Sequence, residues 1–169
     1  HGIAKAQTVS YMYLLILPVL LRPRVKHGDK IVHFKKEMSM IKEIINQWED
    51  RKEVLRNYFR TTPQSEYGEY IDIVKAIFRY VIEGYNIDKI TVVDDGDWQG
   101  TQLFLIPLKT YQPCASEYLI THTYYGSCSG CDTLLGIRDF GHGLPSEAQV
   151  KEYMTLALHL VQKLQRIQD

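Results

Sequence analysis

The hydrophobic period of this chain changes near Gly84, and that change limits what the chain can fold into. Before it, apolar residues recur at steps of three and four; after it come β-branched apolar runs separated by Gly, Pro, Asp and Ser. Ile41, Ile44, Ile45, Trp48, Leu55, Tyr58 and Phe59 share one helical stripe, with Glu43, Glu49, Asp50, Lys52 and Glu53 opposite. This predicts an amphipathic helix from Met38 to the Thr61-Thr62-Pro63 break. A second helix is expected to start within residues 63–65, capped by Thr62, to bury Tyr70, Val74, Ile77, Phe78 and Val81, and to stop at Gly84. Residues 89–93, 101–108 and 117–125 then read as strands, and their connections are too short for crossover helices, so an antiparallel meander is expected. Pro107 should end the second strand or place it at an edge. Ser146-Glu147-Ala148-Gln149 is a capping box, and Val150, Met154, Ala157, Val161 and Leu164 form the stripe of a C-terminal helix. The expected fold is α+β: two N-terminal amphipathic helices, a three-stranded antiparallel meander, and a C-terminal helix packed on the same sheet.

Charge divides the chain. The total is neutral, with 20 basic and 20 acidic residues, which removes the electrostatic footprint of a general nucleic-acid binder. Residues 1–37 nevertheless hold seven basic residues against Asp29 and Glu37, leaving 13 basic and 18 acidic groups in residues 38–169. Residues 9–21 are nearly all apolar, but the run falls short of the ~20 residues that a helix needs to cross a bilayer, so stable membrane insertion is not expected. As a secretory signal the run has its stronger positive charge on the wrong side. The first residue is His1, and Met38 or Met40 directly precedes a well-patterned helix. Residues 1–37 are therefore read as a basic and apolar extension or leader, the alternative being an ordered strand or helix split at Pro18, and residues 38–169 as a single α+β domain.

Chemistry concentrates at two strand ends. Asp94-Asp95-Gly96-Asp97-Trp98-Gln99-Gly100 places three carboxylates within four residues, which must be solvated, capped by backbone amides or neutralised by a cation. The segment lacks the alternating ligands of an EF-hand. Trp98 is an unusual turn residue, suited to a binding surface. The second segment, residues 124–133, carries Cys128-Ser129-Gly130-Cys131, whose sulfurs a tight turn brings together as packed thiols, a disulfide or two metal ligands. Structural zinc would need two more ligands from Cys114, His122, His142 and Asp132. A thioredoxin-like role would need a long helix after the motif, and the Gly and Pro residues between 136 and 145 leave little room for one. His122 alternates in phase with Tyr118, Ile120 and Tyr124, as a hydrogen-bonded, half-buried histidine would. A Cys–His nucleophile would pair Cys128 or Cys131 with His122 or His142. No Gly-x-Ser-x-Gly, phosphate-binding loop or His-Glu-x-x-His motif is present.

Asp97-Trp98-Gln99-Gly100 between two strands, followed by Gly126-Ser127-Cys128-Ser129-Gly130-Cys131-Asp132 after the next, resembles a group of small uncharacterised proteins encoded by bacteriophages and prophages. The resemblance covers about residues 89–135, and Trp98 stands where that group usually has Tyr. It implies a bacteriophage source, a cytoplasmic location in an infected or lysogenic bacterial host and an accessory role, and it transfers no catalytic residue. Twelve tyrosines, several of them near the sheet, add to a binding surface. The expected function is therefore non-enzymatic protein binding through Asp94, Asp95, Asp97, Trp98, Tyr124, Ser127, Ser129 and Asp132, without a cofactor. An inhibitor or modulator of a host protein such as a defence nuclease is one version. The alternative is a metal- or thiol-dependent protein, either a redox pair or a zinc site drawn from Cys128, Cys131, His122 and Cys114.

Overall fold

In the computed structural model, which describes residues 27–167, helix α1 spans His27–Thr61 and is followed by a 3-10 turn at Gln64–Tyr67 and helix α2 at Tyr70–Tyr80. Strands β1 (Thr91–Asp94), β2 (Gly100–Pro107) and β3 (Tyr118–Tyr125) come next, then a short helix α3 (Thr133–Arg138), helix α4 (Glu147–Gln162) and strand β4 (Gln165–Arg166). The chain divides into two compact units, His1–Met40 and Ile41–Asp169, and the sheet lies in the second. Much of the expected N-terminal extension, residues 1–26 with their apolar run, lies outside the described residues, whereas residues 27–37 are helical. No helix among the described residues is long and apolar enough to cross a membrane.

The fold is α+β with an antiparallel sheet in the order β1-β2-β3-β4. The fourth strand corrects the expected meander of three. Residues 165–166 pair with Ile120 and Leu119, and two residues are too few to show a period in sequence. Paired residues share a face, so Phe104 and Ile106 line up with Thr121 and Leu119 on the side covered by helices, where all four are buried. Thr121 Oγ1 donates to the Leu160 carbonyl at 2.7 Å, which fixes α4 against β3 without leaving a buried hydroxyl unmatched.

Helix α1 meets the end of α2 through the Tyr58–Tyr80 ring pair, the Arg51–Glu83 ion pair and the Glu83 amide donating to Gln47 Oε1. Its buried face is narrower than its apolar stripe: Ile44, Trp48, Leu55 and Phe59 are buried, while Ile41 and Ile45 are exposed. The start of α2 also differs from expectation. Pro63 precedes only the 3-10 turn, and α2 begins at Tyr70, where the Glu69 amide donates to Asp72 Oδ2 at 3.1 Å. The reason is packing, because Gln64 and Tyr67 turn inward and are buried. The C-terminal helix begins as its sequence predicts, with Ser146 as N-cap and Gln149 reaching back to the Ser146 amide.

Candidate functional site

The meander places the β1–β2 loop and the exit of β3 at the same end of the sheet, so the two unusual segments are neighbours. The link between them is direct. Asp94 Oδ1 accepts from the Tyr125 hydroxyl at 2.8 Å and from the Gly96 amide at 3.1 Å, while Oδ2 accepts from Gln102 Nε2 at 2.9 Å. Gly100, the register partner of Tyr125 on the intervening strand, has no side chain to stand between phenol and carboxylate. Asp95 Oδ1 accepts from the Thr101 amide at 2.6 Å. Backbone and phenol donors thus answer the charge of Asp94 and Asp95, which leaves Asp97 and Trp98 exposed in a pinned loop, with Trp98 83% exposed.

These bonds have a pH signature. The Gln102, Tyr125 and Gly96 donors hold the Asp94 carboxyl below its ordinary value, and the bond to Asp94 pushes the Tyr125 phenol up to about 12. A depressed carboxyl adds stability above its unfolded pKa and loses it as pH falls through the folded value. A raised phenol adds stability below its unfolded pKa and loses it as pH rises from about 10 towards about 12. Tyr125→Phe should therefore be less stable than the parent at neutral pH, and the difference should shrink in acid and again above about pH 10. Urea midpoints of both proteins across pH test this; a difference independent of pH would show that the bond does not form.

The cysteine turn is built from inside. Asp132 is only 5% exposed. Its Oδ2 accepts from the Gly126 amide at 3.0 Å, and its Oδ1 accepts from the Leu135 amide at 2.8 Å and the Tyr70 hydroxyl at 3.3 Å. Asp132 therefore caps α3 and closes the turn, a correction to its expected place on a binding surface, since its oxygens face inward. Burial pushes the Tyr70 phenol up to about 12. Gly126 is required by close approach, because a Cβ there would lie 2.5 Å from the Cys131 carbonyl oxygen. Across the turn the Cys131 amide donates to the Cys128 carbonyl at 3.0 Å, and the Cys128 amide donates to Cys131 Sγ at 3.1 Å. The two sulfurs are in contact at 2.7 Å, and both cysteines, like Ser127 and Ser129, are exposed free side chains. Hydrogen bonds from Cys128, side chain and amide, hold the Cys131 thiol below its ordinary value.

The other nominated residues separate. Tyr124 shares the sheet face of His122 and Leu103, opposite to the face of Tyr125. His122 is exposed, not half-buried, and partial desolvation and the Lys163 charge hold its imidazole below the ordinary value. Cys114 precedes β3 at the far end of the sheet, about 20 Å or more from the turn at roughly 3.3 Å per strand residue. The proposed zinc set of Cys128, Cys131, His122 and Cys114 is thus not assembled. Among the described residues, no group of three or more His, Cys, Asp or Glu side chains that could hold a metal ion is found.

A cleft of about 530 Å³ lies between the cysteine turn and α4, lined by Ser129, Cys131, Thr133, Glu152, Thr155 and His159 among others. Glu152, Thr155 and His159 recur at steps of three and four on the polar side of α4, the only trace of this wall in the sequence. The chain matches no family model, no curated protein and no solved structure.

Proposed function

We propose that this protein is a non-enzymatic accessory binding module of bacteriophage type that engages a protein partner with the sheet end formed by residues 94–100 and 126–132. The observation that carries this reading is Trp98, 83% exposed in a loop whose Asp94 and Asp95 are fixed by hydrogen bonds. A large aromatic on a pre-ordered loop contributes contact area at low entropic cost, which is how binding hot spots are built. Asp97 beside it favours a partner surface with positive charge, and a host nuclease groove is one such surface. The finer expectations belong to the same reading: a phage or prophage source, the cytoplasm of an infected or lysogenic bacterium, and a role as inhibitor or modulator.

The test is site-specific photo-crosslinking in bacterial cells, with a benzophenone amino acid at position 98 or at position 111. Tyr111 is 98% exposed and lies in the β2–β3 connection at the far end of the sheet, so it controls for exposure alone. A discrete protein adduct from position 98 and none from position 111 is expected. The same adducts from both positions, or none from position 98, would overturn the proposal.

A further inference from the structure

We infer that Cys128 and Cys131 form a reversible dithiol–disulfide couple that exchanges with low-molecular-weight disulfides seated in the cleft between the cysteine turn and α4. This goes beyond protein binding and stands independently of it. Three observations carry it. The hydrogen bond from the Cys131 amide to the Cys128 carbonyl closes a four-residue turn, which brings the two Cα atoms within the separation that a disulfide spans. The sulfurs already touch, at 2.7 Å, and both cysteines are exposed. Of the two, Cys131 lines the cleft, and its volume of about 530 Å³ lies within the range of small-molecule sites.

The roles follow from the bonding. Cys131 Sγ receives the Cys128 amide at 3.1 Å, a donor that favours its thiolate, so Cys131 is the attacking sulfur. Its thiolate attacks one sulfur of the bound disulfide; that S–S bond breaks, and the departing thiolate takes up a proton and leaves as a thiol. Cys128 then loses its proton and attacks Cys131 Sγ, which breaks the mixed disulfide and releases the second thiol. Two cysteine thiols and one disulfide become one protein disulfide and two small thiols, so the two electrons given up by the cysteines reduce the bound disulfide in a stoichiometric exchange. Cys114, in the β2–β3 connection, takes no part.

The experiment equilibrates the full chain in glutathione buffers of stepped oxidation, quenches with acid, alkylates free thiols and maps the cysteines by mass. The expected result is a single two-electron transition linking Cys128 to Cys131 while Cys114 stays unlinked to either. In Cys128→Ser, glutathione should accumulate on Cys131, and in Cys131→Ser it should attach to Cys128 several-fold more slowly, because Cys131 Sγ is the sulfur that receives the Cys128 amide. Separate glutathione adducts on both cysteines without a linked species, or thiols that persist across the whole range, would overturn the inference. So would stoichiometric zinc that has to be stripped by a chelator before the pair oxidises. Thermal melts of both serine variants separate a lost reaction from a lost fold.

Discussion

Tyr153→Ala is expected to lower the unfolding free energy by about 3–5 kcal/mol, the cost typical of deleting a buried aromatic ring. Tyr153 is fully buried on α4 and packs against Phe59 of α1 and Tyr67 of the 3-10 turn, at ring-centroid distances of 5.4 and 5.0 Å. One ring therefore ties α4 to the end of α1 and the 3-10 turn that follows it, elements far from α4 in sequence. Its hydroxyl donates to Gln64 Oε1 at 2.7 Å, and the Gln64 side chain, only 3% exposed, also receives Gln149 Nε2. Tyr153→Phe should cost only about 1 kcal/mol, because the ring stays and Gln149 still satisfies the carboxamide oxygen. Urea unfolding of the two variants measures the contrast. Equal losses would show that the hydroxyl, not the ring, secures this junction.

Asp132→Ala should be nearly as damaging, about 3 kcal/mol or more, for a different reason. Removing the carboxylate strands the buried Gly126 amide, at about 1–3 kcal/mol, and uncaps α3 at the part-buried Leu135 amide, at about 1 kcal/mol. It also frees the Tyr70 hydroxyl, which still receives the Leu134 amide, so α2 keeps only one of its two bonds to the start of α3. Asp132→Asn keeps the shape and one acceptor oxygen and should fall between the parent and Asp132→Ala. Urea midpoints rank the three proteins, and chymotrypsin cleavage after the exposed Leu135 should accelerate in the same order as α3 loosens. An Asp132→Ala midpoint equal to the parent's would mean that the turn is held by other contacts.

Repetition within an element is what makes it legible in the sequence. Beta-branched runs and the Ser146 capping box mark β2, β3 and α4 well, because their signals repeat within each element. The six residues of α3 and the two of β4 are too short to repeat anything. The proximity of the two loops was legible from topology alone, since a meander brings alternate connections to the same end. Asp132 was not, because an aspartate that caps a helix inward and one that faces a partner have the same neighbours in sequence. Tyr124 and Tyr125 show the same limit in reverse: alternation separates their faces, but only the register across Gly100 reveals that Tyr125 reaches Asp94. Glu152, Thr155 and His159 read as an ordinary solvated helix face, and they become a wall only when α3 brings the cysteine turn over them.

The most direct test of the binding account is the affinity of the partner captured at position 98 for the parent protein, Trp98→Ala and Tyr111→Ala, by isothermal titration with melting temperatures recorded alongside. Trp98→Ala should weaken binding by about 2 kcal/mol or more, roughly 30-fold, as removal of a central aromatic anchor does, with its melting temperature nearly unchanged, while Tyr111→Ala binds as the parent does. Unaltered affinity in Trp98→Ala, or a melting temperature that falls with the affinity, would contradict the assignment of this loop as the binding surface.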